Sequence, residues 1–104
     1  MDVIRELKWT ATAIKQRNNV FEYWNRRNKS DLYSKKLNLK IKERTTLLKL
    51  YPELGTETTF AKTRVLYMGY YSILYQFIEK QIIISGFWDN RQEPYKLLHF
   101  LKNN

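Results

Sequence analysis

The chain has 104 residues, a formal net charge of +9 and 43% hydrophobic residues, which is typical of one globular domain rather than of a disordered segment. It contains no cysteine, so disulfides, thiolate catalysis and zinc sites built on cysteine are excluded. No apolar run approaches the ~20 residues that span a bilayer, and the charged start lacks the apolar core of a signal peptide. We therefore expect one cytoplasmic domain over residues 1–104, with no cofactor and no membrane partner.

The positive charge is concentrated in the first half of the chain. Up to Leu50 there are 13 Lys and Arg against 5 Asp and Glu, whereas from Tyr51 onward there are 6 against 5. Such a field attracts polyanions, meaning nucleic acid, an acidic protein or an anionic membrane surface. The charge alone does not say which of these partners binds, and a basic domain that binds no polyanion would have the same composition.

The chain begins with a predicted strand and a predicted helix. The strand covers Val3 to Trp9, and Thr10 is the expected N-cap of a helix that runs to about Arg27. The residues that recur on one side of this helix at helical spacing are Ala13, Arg17, Val20, Phe21 and Trp24.

A second helix follows, capped by Ser30 or Asp31 and ended by Pro52 and Gly55. Its expected apolar stripe consists of Tyr33, Leu37, Ile41, Leu48 and Tyr51. Its cations lie mostly elsewhere on the helix and are Lys35, Lys36, Lys40, Lys42, Arg44 and Lys49. A basic face of this kind also suits a membrane surface, but a helix held against a sheet with its charges in water explains the pattern more simply.

After Thr59 the period of the apolar residues changes from helical to alternating. Short turns at Met68–Gly69 and around Glu79 predict two antiparallel hairpins, and Pro94 to Leu101 is expected to form a closing helix. The three predicted strands are Phe60 to Tyr67, Tyr70 to Phe77 and Gln81 to Trp88. The sequence therefore predicts an α+β fold of order β-α-α-β-β-β plus a short C-terminal helix, with an antiparallel sheet of about four strands and both N-terminal helices on one face.

Two cations alternate along the first strand of this second half. Lys62 and Arg64 are two residues apart, so both are expected on one face of the sheet. The residues expected to face the helices instead are Ala61, Val65 and Tyr67. If Arg91 converges with the pair, the open face presents cations suited to a phosphodiester. Tyr70 and Tyr71 add stacking surfaces for unpaired bases. The alternative is the solvated side of a half-buried sheet.

The last strand runs from a β-branched segment into a polar tip. Asp89, Asn90 and Arg91 leave the strand together, and Pro94 prevents further strand pairing. A packed sheet would hold these side chains on a rigid base, as a working surface requires. An ordinary solvated strand end is the alternative. We interpret Asp89 and Glu93 as ion-pair partners of Arg91 rather than as an acid/base pair.

His99 is the only histidine of the chain. A lone histidine builds no metal site, and no Ser or Asp at suitable spacing completes a catalytic triad. We therefore expect His99 to be a partly buried structural residue, and we expect no metal.

These features together resemble the RelE/ParE superfamily, the toxins of type II toxin–antitoxin modules, once described as plasmid stabilisation proteins. The resemblance covers nearly the whole chain. It rests on the β-α-α-β-β-β order and on five short motifs, which begin at Phe21, Tyr51, Arg64, Tyr71 and Phe87. It implies a small basic toxin that is neutralised when a cognate antitoxin wraps an acidic or amphipathic segment around the helices and sheet.

The superfamily divides by target, and the resemblance leaves both branches open. The RelE branch cleaves messenger RNA in the ribosomal A site without metal, whereas the ParE branch inhibits DNA gyrase. Arg64 and Arg91 match basic positions of both branches, and Lys62 lies near basic strand positions of the ribonucleases. The ribonucleases generally carry an arginine where this chain has Ser72. The candidates for their C-terminal Tyr and His residues are Tyr95 and His99.

For a ribonuclease, the resemblance implies that Arg64 and Arg91 hold the scissile phosphate. Lys62, Tyr71 or Tyr95 would assist deprotonation of the 2′-hydroxyl, since arginine stays protonated. Replacing both arginines by Ala is expected to leave the fold intact. For a gyrase inhibitor the same surface only binds. The residues expected to contact the target or nucleic acid are Lys62, Arg64, Tyr70, Asn90 and Arg91. A non-catalytic nucleic-acid-binding module and a degenerate member that only binds a partner protein are further alternatives.

Overall fold

A computed structural model describes residues 5–60 and 62–103, which form three helices and a five-stranded sheet. The elements in chain order are β1 Glu6–Trp9, α1 Ala11–Asn28, α2 Leu32–Leu50, β2 Thr56–Glu57, β3 Arg64–Met68, β4 Tyr71–Ile78, β5 Gln81–Asp89 and α3 Pro94–Lys102. The predicted α+β class is confirmed, and β2 is a short addition to the predicted order. Val3, Ile4 and Ala61, which the sequence assigned to strands, lie outside the described residues.

The strands lie in the order β1-β5-β4-β3-β2. Both predicted hairpins are confirmed, and each turns in two residues, with Met68 opposite Tyr71 and Ile78 opposite Gln81. Gly69 adopts a φ of 77°, a left-handed conformation that glycine takes without steric cost. The expectation of a fully antiparallel sheet is wrong at one edge, because β1 lies parallel to β5. Parallel pairing requires a crossover connection, and the helices α1 and α2 lie within it.

Both helices begin where the sequence predicts. Thr10 Oγ1 accepts a hydrogen bond from Ala13 N at 3.1 Å, which confirms the N-cap of α1. Lys29 ends α1 in a left-handed conformation. Ser30 Oγ then accepts from Leu32 N at 3.2 Å at the start of α2. The chain is thereby folded back on itself as a helical hairpin.

One core lies between this hairpin and the sheet. It contains Ala13, Leu37, Ile41, Leu48, Leu66, Tyr71, Ile73, Tyr75, Ile82, Ile84 and Phe87. Ala13 of α1 and Leu37, Ile41 and Leu48 of α2 lie in this core, and Val20, Phe21 and Tyr33 pack against it, so these members of the predicted stripes face the sheet. Tyr51 is 61% exposed, because it lies beyond the last residue of α2.

A second core lies on the opposite face of the sheet, which the sequence left open. Val65, Leu74 and Trp88 are buried there beneath α3. The α3 residues that cover them are Leu97, Phe100 and Leu101. Gly86 permits this contact, because a Cβ at this position would lie 2.8 Å from Leu74 Cδ1 and 3.0 Å from Phe100 Cε2.

The faces of β3 are the reverse of those expected. Directly opposite residues of an antiparallel pair point to the same side, and Arg64 lies opposite Tyr75, which packs on the helical hairpin. Val65 faces α3, and Tyr67 is 62% exposed. The expectation that Val65 and Tyr67 face the two N-terminal helices is therefore wrong.

The strand β3 also begins later than predicted, because the residues before it form a closed loop. Lys62 has a φ of 60°, which interrupts an extended strand. Thr63 N donates to Phe60 O at 3.1 Å, and Thr58 Oγ1 donates to Thr63 O at 2.9 Å. Lys62 is therefore a loop residue and does not alternate with Arg64 along a strand.

The loop after α2 is fixed by a buried tyrosine of β4. The Tyr75 hydroxyl donates to Pro52 O at 2.7 Å and accepts from Gly55 N at 2.8 Å. Tyr75 has no exposed surface, and Gly55 is buried. One phenol group therefore satisfies both a backbone donor and a backbone acceptor that water does not reach.

Tyr75→Phe is expected to lower the free energy of unfolding by about 1–3 kcal/mol, because the Gly55 amide loses its partner while buried. Urea unfolding followed by circular dichroism measures this change. Tyr67→Phe, at an exposed tyrosine, is the control and should change stability by less than about 0.5 kcal/mol. Equal effects of the two substitutions would contradict this role of Tyr75.

Candidate functional site at the tip of the last strand

The polar tip after β5 is held by backbone hydrogen bonds. Asp89 O accepts from Gln92 N at 3.1 Å, which closes a four-residue turn, and Asp89 Oδ1 accepts from Arg91 N at 2.9 Å. Asn90 N donates to Tyr70 O at 2.8 Å, so the pairing of β4 and β5 continues into the turn. The predicted rigid base for these polar residues is therefore present.

The Asn90 side chain joins the tip to the β3–β4 turn. Its Oδ1 accepts from Ser72 Oγ at 2.6 Å, and its Nδ2 donates to Gly69 O at 3.0 Å. Ser72 is buried. The position at which the ribonucleases generally carry an arginine therefore holds a small buried hydroxyl that fixes Asn90. The amide oxygen and nitrogen of the exposed Asn90 side chain are thus both hydrogen-bonded within the protein.

Arg91 is held by one carboxylate and three aromatic rings. Its Nε donates to Asp89 Oδ1 at 3.0 Å and its Nη2 to Asp89 Oδ2 at 2.9 Å, a bidentate pair. Its Cζ lies 5.1 Å from the centre of the Tyr70 ring and 5.9 Å from the centres of the Tyr71 and Trp24 rings. The prediction that Asp89 pairs with Arg91 is confirmed.

These contacts shift the ionisation of the groups at the tip. Partial burial disfavours the charged form of Asp89, but hydrogen bonds from Arg91 prevail and hold the pKa of that carboxyl below its ordinary value. The hydrogen bonds with Asp89 in turn raise the pKa of the Arg91 guanidinium. Burial raises the pKa of the Tyr71 phenol, whose oxygen accepts from Trp24 Nε1 at 2.7 Å. Glu93, the other predicted partner of Arg91, lies at the N-cap of α3.

A hollow of about 510 Å³ lies beside Arg91, between α1 and the end of β5. Its lining combines apolar, aromatic and polar side chains and includes Gln16, Asn19, Val20, Tyr23, Phe87 and Arg91. The pairing of β1 with β5 ends at Ile84, and Gln16 Oε1 accepts from Phe87 N at 2.9 Å beyond that point. The hollow therefore occupies the place where β1 gives way to α1.

Arg64 is a structural clamp. Its Nη1 donates to Gly55 O at 2.8 Å and to Glu53 O at 3.4 Å, and its Nη2 donates to Glu57 Oε1 at 2.9 Å. Its Cζ lies 5.8 Å from the centre of the Phe77 ring, and the side chain is only 16% exposed. The expectation that Arg64 is a cation on the open face is therefore wrong, and we now expect its replacement by Ala to destabilise the loop after α2.

The predicted cations do not converge on one site. Arg64 lies opposite Tyr75, whereas Arg91 contacts Tyr71. These tyrosines are four residues apart on β4, which is about 13 Å along a strand. Lys62 is exposed and lines a separate hollow of about 550 Å³ beside Arg64.

The last two candidates lie on α3. Tyr95 is 61% exposed. His99 is exposed as well, with Nδ1 3.4 Å from Asn103 Nδ2, so the expectation of a partly buried histidine is wrong. Within residues 5–60 and 62–103, no cluster of three or more His, Asp or Glu side chains could hold a metal ion. No helix in this described part is long and apolar enough to cross a membrane.

Three residues of α1 belong to the site although the sequence reasoning gave them no function. Arg27 lies with Cζ 5.7 Å from the Trp24 ring centre, and its Nη1 donates to Tyr23 Oη at 3.2 Å. Tyr23 is 48% exposed. The four-residue spacing of Tyr23 and Arg27 was a signal for this contact. We name Tyr23, Trp24, Arg27, Tyr70 and Arg91 together the aromatic–arginine surface.

A basic helical hairpin on a mostly antiparallel sheet, with an arginine-bearing tip at the end of the last strand, is the architecture that the resemblance to the RelE/ParE toxins implies. The family model for the ParE toxin of type II toxin-antitoxin system, parDE, matches residues 7–94, and the chain belongs to this family. Among solved structures, a chain of the chromosomal ParDE TA system from P. aeruginosa is similar, with a TM-score of 0.71 and 18% identity. The match covers 83% of this chain and 96% of that one, and shows a shared fold. No curated protein sequence matches the chain.

Asp89→Asn tests the ion pair through its pH dependence. Because the folded-state pKa of Asp89 is lowered, the stability from this carboxylate is fully present above its ordinary pKa of about 4 and is lost as the pH falls through the lowered value. Urea unfolding should show wild type more stable than the variant by about 0–1 kcal/mol at neutral pH, with no difference in strong acid. Arg91→Gln should show the same pH profile. A difference that grows on acidification would contradict the assignment.

Proposed function

We propose that this toxin acts by binding DNA gyrase and does not itself cut RNA. The observation that carries the proposal is that both arginines suited to a scissile phosphate are already paired with carboxylates, Arg91 with Asp89 and Arg64 with Glu57. A phosphate placed against either guanidinium would also lie near the paired carboxylate and be repelled by it. Neither arginine is therefore a free charge for a developing phosphorane.

Bond cleavage also requires a group that takes the proton of the 2′-hydroxyl. Tyr71 is buried, and burial raises the pKa of its phenol, so it is protonated at neutral pH and is a poor base. Lys62 lies in the loop beside Arg64, and Tyr95 lies on α3. Among the described residues, the candidate bases and the cations do not form one constellation around a single phosphate.

The same tip is well suited to grip a protein. Trp, Tyr and Arg are the residue types that dominate binding hot spots, and they make up the aromatic–arginine surface. Tyr70 is 62% exposed and Tyr23 is 48% exposed, so both offer free area. Hydrogen bonds and ring contacts hold Arg91 in place before any partner arrives, which lowers the entropy cost of binding.

Membership of the ParE family supports gyrase as the target and an antitoxin protein as the neutralising partner. The resemblance implies inhibition of gyrase for the ParE branch, and the matching family is that of ParE toxins. The similar solved structure is of a ParDE toxin–antitoxin system. We therefore assign neutralisation of this toxin to direct binding of an antitoxin protein.

Purified toxin should block supercoiling of relaxed plasmid by gyrase and should leave messenger RNA intact on programmed ribosomes. Both assays are run in parallel with the same preparation, so that loss of activity during purification affects both. A-site cleavage of the messenger without an effect on gyrase would overturn the proposal.

Tyr70→Ala should raise the toxin concentration needed for half-inhibition of supercoiling at least about tenfold, because it removes an exposed ring of the proposed hot spot. Tyr67→Ala is a matched control, since Tyr67 and Tyr70 are both 62% exposed but Tyr67 lies on the face of β3 that α3 partly covers. Circular dichroism confirms that both variants are folded. A larger effect of Tyr67→Ala than of Tyr70→Ala would contradict the proposed surface, because it would place the gyrase contact on the face of the sheet that carries α3.

A further inference from the structure

The helix α2 carries apolar side chains on two opposite faces. One face, with Leu37, Ile41 and Leu48, is buried against the sheet. The exposed leucines of the helix are Leu32 at 68%, Leu39 at 61%, Leu47 at 39% and Leu50 at 41%. At about 100° per residue, Leu32, Leu39 and Leu50 lie on the side opposite the buried face, and Leu47 lies on the flank between that side and the buried face. A helix with one buried and one exposed apolar face is expected to have a second partner.

The exposed leucines form a narrow seam along the whole helix. Leu32 and Leu39 are one heptad apart, and Leu50 continues the row at the other end. Lys36 and Glu43 lie between them on the same side. At about 1.5 Å per residue, the row from Leu32 to Leu50 extends about 27 Å, so a partner helix of about 18 residues could lie along all of it. We name these leucines, with Leu47, the leucine seam.

Cations border the seam on both sides. The two rims are formed by Lys40 and Arg44 on one side and by Lys35, Lys42 and Lys49 on the other. With Lys36 the helix has six cations, and Glu43 is its only acid. Of the five rim cations, Lys35 has an ion pair, an exposed contact of 3.2 Å with Asp31. The electrostatic complement of this surface is therefore an apolar row flanked by acidic side chains.

We propose that the leucine seam docks an amphipathic helix of a partner protein, with an apolar face that packs on the leucines and acidic residues on both flanks. A second copy of this chain is disfavoured, because its seam would bring six further cations against these six. An anionic membrane is disfavoured, because Lys36 and Glu43 would enter the apolar layer from the middle of the seam. A partner helix instead places opposite charges against both residues.

The identity of the partner rests on the proposed function, in which a neutralising protein binds this toxin. The N-terminal end of α2, where the seam begins, lies beside the proposed target surface, because Tyr33 packs on Trp24 with ring centres 4.8 Å apart. A helix lying along the seam therefore ends next to the aromatic–arginine surface. The docked chain needs only a short extension there to exclude the target.

The test replaces two seam leucines in the full chain. The double variant Leu39→Gln with Leu47→Gln changes exposed side chains, so the thermal melt should be unchanged. The matched control replaces Leu54 and Leu98, which are 47% and 49% exposed and lie outside α2. Each toxin is expressed in bacteria alone and together with the protein encoded beside its gene. The same pairs of purified proteins are tested for binding.

The seam variant should stay as toxic as wild type but escape neutralisation, with affinity for the adjacent-gene protein reduced about 100-fold. The control should be neutralised normally. If the double variant fails to fold, Lys40→Gln with Lys42→Gln replaces it and should weaken binding about tenfold, with a smaller dependence on salt.

Three results would overturn the proposal. One is normal neutralisation of the seam variant with unchanged affinity. Another is a folded seam variant that is no longer toxic, which would make the seam a target contact. The third is binding of wild type, but not of the variant, to vesicles of phosphatidylglycerol and phosphatidylcholine or to a second copy in light scattering. If wild type itself is not toxic, the proposed function fails, and the affinity measurement alone decides the seam.

Discussion

The central hairpin of β4 and β5 is buried on both faces, and the other features of the molecule are arranged around this constraint. Alternate residues face opposite sides of a strand, so Ile73 and Tyr75 pack beneath the helices α1 and α2, whereas Leu74 and Trp88 pack beneath α3. Along these strands Ser72 is buried and Ser85 is half-buried, whereas Asn90, just past the end of β5, is exposed. The proposed target surface and the leucine seam accordingly lie at a strand end and on outer faces of the helices.

A charge at a strand end needs a partner if it is to hold a fixed position. Arg91 has Asp89, and Arg64 has Glu57 together with the carbonyls of the loop after α2. Pairing of this kind fixes the orientation of the planar guanidinium and leaves little net charge for catalysis. The hollow and exposed rings around Arg91 suit contact with a protein, and the cationic leucine seam suits a second protein. In the functions proposed above, target binding and neutralisation fall on two adjoining surfaces.

Local patterns predicted the elements well, because capping and periodicity act over a few residues, as Thr10 shows at the start of α1. The faces of β3 were predicted in reverse, because the packing of both sheet faces is a tertiary property that alternation alone does not orient. The left-handed backbone of Lys62 arises from a closed loop that only the structure reveals. The pairing of Asp89 with Arg91 was predictable because the two residues are close in sequence. The contact of Arg91 with Trp24 joins distant segments and was missed.

Internal partners hold both arginines, Arg91 and Arg64, that a scissile phosphate would need. The most direct measurement is the rate of guanidinium rotation at each arginine, from nitrogen-15 NMR of arginine side chains at neutral pH. Arg91 and Arg64 should give separate, slowly exchanging Nη signals, because bidentate or multiple hydrogen bonds hinder rotation, whereas the exposed Arg44 should give averaged signals. Free rotation of Arg91 at the rate of Arg44 would contradict the account.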